Sequence, residues 1–347
     1  MRRVSKIAAA SIATAALAFT ATACGESSTG SSSSGESGKL KIGMAYDVGG
    51  RGDNSFNDSA ARGLDKAKKE FGAETKELTA KASETPADRE ARLASLAEGG
   101  FNPVVAVGFA YKDAVDKVAK KHPKVAFGLI DSISSAKNVD SIVFTEEQGS
   151  YLAGVAAALK SKTGEVGFIG GVDVPLIKKF AAGFQQGVKE TNPKAKVQIQ
   201  YLSTGTDITG FGSPDKGKQA AKGMLDKGMD VIFAAAGGSG AGSIEAVADK
   251  KGAWAIGVDS DQAMDPSLSK YKASILTSVV KNVDTGVYEL VKSVKDGKPK
   301  AGTSTYSLAE NGVALTTTGD HLKDIQAKLD EAKKKIVDGT IQVKSTL

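Results

Sequence analysis

The chain is poor in the residues that staple or catalyse. One cysteine in 347 residues excludes a disulfide scaffold, and the secreted type of small fold that depends on one. Two histidines, His122 and His321, stand far apart, and neither has acids or cysteine at metal-ligand spacing, so no metal centre is expected. Proline is scarce too, and 40 glycines against 8 prolines point to many tight strand-to-helix turns. Apart from the N-terminal region there is no long apolar run, which excludes a polytopic membrane protein. No Gly-x-Ser-x-Gly elbow and no Gly-x₄-Gly-Lys-Ser/Thr phosphate loop occurs. Charge of one sign is also missing. Without the three basic residues of the leader, 43 Lys and Arg stand against 40 Asp and Glu, interspersed along the chain. A nucleic-acid binder concentrates its basic residues in a stripe with aromatics, and no such stripe is present.

What is present begins with a processing signal. Arg2, Arg3 and Lys6 precede a 15-residue apolar segment, Ile7 to Ala21, too short to span about 30 Å of hydrocarbon and suited to secretion. The segment ends at Ala21-Thr22-Ala23-Cys24, which looks like a bacterial lipoprotein box. Residues 1–23 are therefore expected to be a signal peptide, by the Sec or the twin-arginine route. Cys24 would then be the lipidated new N-terminus, and two acyl chains suffice for stable anchoring. Residues 24–38, rich in Ser and Gly, read as a flexible tether. The expected location is the outer face of the cell membrane, where ATP and NAD should be scarce.

The remaining 309 residues suggest two domains at about 150 residues each. Nine short apolar runs read as strands: Leu40–Tyr46, Val104–Val107, Val125–Ile130, Ser141–Phe144, Val166–Ile169, Val197–Leu202, Val231–Ala235, Trp254–Asp259 and Ile275–Val280. The runs at 104–107, 125–130 and 231–235 are unbroken, as strands buried on both faces of a parallel sheet should be. Between them, helical stripes recur at spacings of three and four, as in Phe56, Ala60, Leu64, Ala67 and Phe71. A final stripe runs Leu322, Ile325, Leu329, Ala332, Ile336. This alternation predicts an α/β architecture of two doubly wound lobes, with a ligand off the carboxyl ends of the strands.

Those strand ends carry the chemistry. Asp47-Val48-Gly49-Gly50-Arg51-Gly52-Asp53-Asn54-Ser55-Phe56-Asn57 misses the third glycine of a dinucleotide fingerprint, and its carboxylates would repel a pyrophosphate. It reads instead as a loop whose glycines admit a neutral polar ligand, with Asp47 as acceptor and Phe56 as a stacking face. On periodicity alone Phe56 reads rather as the first core residue of its helix. Gly257-Val258-Asp259-Ser260-Asp261-Gln262 offers Asp259 to a ribose diol, or as a turn cap. Glu146-Glu147 and Asp259/Asp261 leave a carboxylate-dependent nucleoside or sugar hydrolase open beside a two-lobe receptor. The lack of a nucleophile with its base favours the receptor.

Five motifs in order, together with Cys24, resemble the basic membrane protein family of ABC-transporter substrate-binding lipoproteins. They are Asp47-Val48-Gly49-Gly50, Asp53-x-Ser55-Phe56-Asn57, Phe180-x-x-Gly183-Phe184, Ala235-Ala236-Gly237-Gly238-x-Gly240-x-Gly242, and Gly257 to Gln262. The best-understood members bind purine nucleosides, and some relatives carry flavins or act in signalling. The resemblance implies a type I periplasmic-binding-protein fold: lobe 1 from 39–145 plus 276–300, lobe 2 from 146–275 plus 301–347. It implies a base sandwiched between Phe56 and Phe211, the latter in Phe211-Gly212-Ser213-Pro214-Asp215-Lys216-Gly217-Lys218, where Ser213 replaces the usual Asp. Phe180 is the alternative second aromatic. Asp47 and Asn57 would address the base edge with Asp131 nearby, Asp259 and Lys281 the ribose hydroxyls, and Gly238 would offer a backbone contact. No cofactor, no catalytic residue and no nucleic acid are implied. The implied partners are a purine nucleoside, the permease subunits of an importer, and the membrane through Cys24. A monomer is expected.

Overall fold

The computed structural model describes residues 39–347 except residue 82. The leader, the tether and Cys24 lie outside the described residues. The first half runs β1 (Lys41–Tyr46), α1 (Phe56–Phe71), β2 (Glu74–Thr79), α2 (Pro86–Glu98), β3 (Val104–Ala106), α3 (Lys112–Lys121), β4 (Phe127–Ile130) and β5 (Val139–Phe144). The second runs α4 (Glu146–Lys160), β6 (Glu165–Asp173), α5 (Pro175–Thr191), β7 (Lys196–Thr204), α6 (Pro214–Asp226), β8 (Val231–Ala235), α7 (Gly240–Ala248), β9 (Trp254–Asp259) and β10 (Ile275–Lys281). The chain then returns through α8 (Val283–Lys295) and β11 (Gly302–Tyr306), and ends with β12 (Val313–Leu315) and α9 (Gln326–Val337).

These strands form two six-stranded sheets, in the orders β11-β5-β4-β3-β1-β2 and β12-β10-β9-β8-β6-β7. Every ladder is parallel except β10 with β12. Each sheet is therefore doubly wound, and each has a switch point beside its first strand, β1/β3 in one lobe and β6/β8 in the other. Helices cover both faces: α1 with α8 and α2 with α3 on the first sheet, α4 with α5 and α6 with α7 on the second. All nine expected strands form. The unbroken runs became β3, β4 and β8, which are internal and wholly buried.

Two expectations need correcting. The lobe boundaries are displaced: β10 at 275–281 pairs in the second sheet, and β11 at 302–306 pairs in the first. The second crossing thus follows Lys281 and the third follows Tyr306, not residues 275 and 300. An apolar run such as Ile275-Leu276-Thr277-Ser278-Val279-Val280 fits either sheet, so only its partner strand decides. The last helix starts at Gln326, and Leu322 and Ile325 reach the core from the turn before it.

The α4–α5 contact shows what many of the glycines do. A Cβ on Gly183 would lie 2.1 Å from the carbonyl oxygen of Glu147, and one on Gly187 2.1 Å from that of Tyr151. Backbone meets backbone there. Gly223 in α6 faces open solvent instead, with nothing within 4 Å of a built Cβ. Alanine replaces glycine favourably in a helix by roughly 0.5–1 kcal/mol unless it overpacks, at about 1–3 kcal/mol or more. Gly223→Ala should therefore raise the melting temperature and Gly183→Ala should lower it. Differential scanning calorimetry would detect both, and a shift of equal sign would contradict the packing assignment.

Candidate functional site

A cleft opens where the carboxyl ends of the two sheets face each other. Its lining includes Asp47, Phe56, Asn57, Asp131, Phe180, Phe211, Asp259 and Lys281, all expected from the sequence. Gly238 is not part of the lining; its neighbour Gly237 is. Gly238 packs instead between the lobes, where a Cβ would sit 3.4 Å from the Phe211 carbonyl oxygen and 3.6 Å from that of Asp53.

The first lobe builds its wall from the turn after β1. Asp53 is buried, and its carboxylate accepts the backbone N–H groups of Ser55, Asn57 and Asp58 and the Asn57 amide. It thereby does the capping work at the start of α1, where free N–H groups need acceptors. Asn57 Nδ2 also donates to the Val48 carbonyl at 3.2 Å, and its Oδ1 accepts from Asp47 N at 3.0 Å. Its amide thus holds the loop together, and α1 presents Phe56 at its first position. Asp47 Oδ1 accepts from Val48 N at 2.8 Å. The absence of a side chain at Gly108, φ +111°, makes room for the other oxygen: a Cβ there would lie 2.5 Å from Asp47 Oδ2. Burial pushes the Asp47 carboxyl up to about 6, and the same cause raises Asp53 to about 6 against its three backbone donors.

Asp131 follows β4 and Asp259 ends β9, both left-handed at φ +66° and +63°. Aspartate tolerates this region better than most residues, and such backbone strain clusters at functional sites. Asp131 Oδ2 accepts from Lys281 Nζ at 2.6 Å, while Asp131 Oδ1 is buried with no partner. Lys281 Nζ also lies 3.6 Å from Glu146 Oε1 and 4.7 Å from the centroid of the Phe56 ring. Burial lowers the Lys281 pKa, but Asp131, Glu146 and Asp259 together outweigh it and hold the ammonium charged. Asp259 Oδ2 accepts from Ser55 Oγ at 2.7 Å. Burial raises the Asp259 carboxyl, opposed by Lys281 and then by Ser55. The turn cap considered for Asp259 belongs to Asp261, which accepts from Ala263 N.

The two candidate second aromatics differ in setting. Phe180 is buried, its ring 6.5 Å from that of Phe233 in the core. Phe211 is half-buried at the end of a short turn, in edge contact with Phe109 at 6.4 Å and 70°. It is seated over Gly171, where a Cβ would come 2.3 Å from its ring. Phe109, Val48, Leu176, Ile177 and Val258 also line the cleft and were not singled out from sequence. Val107-Gly108-Phe109, a glycine turn at a strand end, was the available signal for the first of them. Among the described residues no group of His, Cys, Asp and Glu could hold a metal, and no helix is long and apolar enough to cross a membrane.

Two doubly wound lobes joined by three crossings, with one cleft at facing switch points, define a solute-binding protein of the type I fold. A solute-binding protein of an ABC transporter from Aeropyrum pernix K1 superposes with a TM-score of 0.76 at 28% identity, covering 87% of this chain and 92% of that one. The chain matches the family model Bmp, described as ABC transporter substrate-binding protein PnrA-like, over residues 39–346. It belongs to that family. An ABC transporter nucleoside-binding protein, BmpA, from Lactococcus lactis subsp. cremoris is 37% identical, over 88% of this chain and 89% of its own. An uncharacterized lipoprotein of Pyrococcus abyssi is 36% identical over 79% of this chain and 68% of its own.

The buried acids set a pH dependence. Burial raises Glu146 to about 7, with Lys281 opposing, and Asp47 and Asp53 to about 6. Their folded pKa values exceed the unfolded ones, so the folded state binds more protons between about pH 4 and 7, and stability falls as pH rises through that window. The unliganded melting temperature should therefore be higher at pH 5.5 than at pH 7.5. Glu146→Gln, which cannot ionise, should flatten the slope above pH 6; an unchanged slope would mean that Glu146 is ionised throughout.

Proposed function

We propose that the chain is the lipid-anchored receptor of an ABC importer, binding a purine nucleoside between its lobes and turning nothing over. The observation that carries this is the acceptor-rich, aromatic-walled cleft. Its lining offers Asp47, Asp131 and Asp259 as carboxylates, one with an unpaired buried oxygen, beside Phe56 and Phe211. A purine stacked between the two rings would place its N–H groups against Asp47 and Asp131, and the ribose diol against Asp259 and Lys281. The similarity to the nucleoside-binding protein of Lactococcus lactis supports the ligand class. The name of the Pyrococcus relative supports a lipoprotein, in keeping with Cys24 after a secretion signal.

Calorimetric titration of the chain from Lys39 onward with adenosine, guanosine, inosine, uridine and riboflavin tests the reading. One-to-one binding of purine nucleosides without release of free base is expected; binding of riboflavin alone would refute it. Four lining carboxylates against one lysine already paired should make adenosine 5′-monophosphate a much poorer ligand than adenosine. Stacking on an aromatic is worth roughly 1–3 kcal/mol per base, so Phe56→Ala and Phe211→Ala should weaken all purines by about that much. Asp259→Ala should weaken adenosine by on the order of 1.5–3 kcal/mol and leave 2′,3′-dideoxyadenosine nearly unchanged. Equal losses for both would place Asp259 away from the sugar.

Anchoring has its own test. Cys24→Ser should move the full chain from the membrane fraction to the soluble extracellular fraction. A variant that stays with the membrane would show that another element holds it.

A further inference from the structure

Ser55 occupies the position before α1 where a hydroxyl ordinarily caps the helix, yet its side chain makes no capping hydrogen bond. Asp53 takes over that work. The hydroxyl of Ser55, fully buried, points elsewhere: it donates to Asp259 Oδ2 at 2.7 Å. Residue 55 belongs to the first lobe and residue 259 to the second, so this bond spans the cleft. It has company. Ser260 Oγ donates to the Ser55 carbonyl at 2.8 Å, Gln262 Nε2 to that of Asn54 at 3.2 Å, and Asn54 Nδ2 to Ser267 Oγ at 2.8 Å. The turn carrying Phe56 is therefore laid over the end of β9 by bonds that require the two lobes to meet.

We propose that Ser55 is a positioning residue: it orients the Asp259 carboxylate from the opposite lobe and so makes capture of the ligand's sugar conditional on closure. The argument rests on the nucleoside reading for the identity of that sugar. Of the two Asp259 oxygens, Oδ2 is fixed by Ser55, which leaves Oδ1 for a ligand hydroxyl. Without the lobe contact the carboxylate, already on a left-handed backbone, loses the donor that fixes its plane. The base-stacking wall and the sugar acceptor are thus joined through adjacent residues, Phe56 and Ser55. An open protein would offer neither in its binding geometry.

The test is a double-mutant cycle read by calorimetry, with wild type, Ser55→Ala, Asp259→Ala and the double variant, each titrated with adenosine and 2′,3′-dideoxyadenosine. Loss of one hydrogen bond to a charged group should cost Ser55→Ala about tenfold in adenosine affinity. Dideoxyadenosine should change less than about twofold, and the serine substitution should add nothing once Asp259 is gone. Ser55→Thr, which keeps the donor, should retain the preference for the diol. Equal losses for both ligands, or a tenfold loss that persists in the Asp259→Ala background, would overturn the proposal and leave the nucleoside reading intact. If wild type binds neither nucleoside, that reading and the sugar role fall together. The orientation of Asp259 is then decided without ligand, by ¹³C NMR titration of its carboxyl under conditions where small-angle X-ray scattering shows the lobes closed as in this structure. The midpoint should move to higher pH in Ser55→Ala, because the Ser55 hydrogen bond favours the ionised form. An unmoved midpoint would overturn the positioning role itself.

Discussion

One buried ammonium holds the two halves of this protein in register. Lys281 ends β10 immediately before the chain crosses back to the first lobe, and Glu146 opens α4 immediately after the first crossing. Asp131 belongs to the first lobe throughout. The Lys281 contacts with Asp131 and Glu146, at 2.6 and 3.6 Å, therefore join both crossings to the floor of the cleft. Burying such charges costs several kcal/mol each in desolvation, so they are tolerated only when paired with good geometry. Remove the lysine and two carboxylates are stranded in a site that Asp259 and Asp47 already make acidic. The ring of Phe56 lies over the same ammonium, so the aromatic wall depends on it as well.

Around that pair the backbone does the positioning. The residues just beyond the carboxyl end of a strand leave the ladder, and near a topological switch point they border an open crevice. Asp259 and Lys281 are the last residues of β9 and β10, and Asp47 and Asp131 are the first residues past β1 and β4. Glycine supplies the remaining space. Gly108 lets the Asp47 carboxylate lie against the turn after β3, and Gly171 lets the Phe211 ring pack closely on β6. A larger residue at either position would fill the volume that the carboxylate or the ring now occupies, and the cleft would lose an acceptor or a wall.

The internal strands were readable from the sequence because burial on both faces leaves an unmistakable run of Val, Ile, Leu and Ala. The three strands that escaped notice are edges. In β2, Glu74-Thr75-Lys76-Glu77-Leu78-Thr79 is half solvent-exposed and carries three charges. In β11, Gly302-Thr303-Ser304-Thr305-Tyr306 has no apolar run at all, and β12 is three residues long. β7 is an edge as well, but Val197, Ile199 and Tyr201 give it an alternating apolar stripe; an edge strand without such a stripe is specified by its neighbour's unpaired backbone rather than by its own side chains. The same limit displaced the lobe boundaries. In the cleft, the residues legible in advance were those at strand ends and in glycine turns. Those that needed coordinates draw their meaning from a distant partner: Glu146, which composition offers only as one of two adjacent acids, and Ser55, whose hydroxyl looks like a helix cap until Asp53 is seen to do that work.

The balance of donors and acceptors in the cleft constrains what can fill it. The Asn57 amide is committed to its own loop, and Lys281 is committed to Asp131 and Glu146. What the lining still has to offer is chiefly acceptors, the free oxygens of Asp47, Asp131 and Asp259. A buried carboxylate oxygen left without a donor costs more than a hydrogen bond gains, so a good ligand must bring donors to several points at once. It must also be flat enough to lie against Phe56 and Phe211, and must carry no negative charge of its own into a site where carboxylates outnumber ammonium groups. A neutral heteroaromatic with N–H groups at one end and hydroxyls at the other meets all three demands. An acid or a phosphate ester meets the first two at most, because its charge would face Asp47, Asp131 and Asp259 without a free cation to answer it.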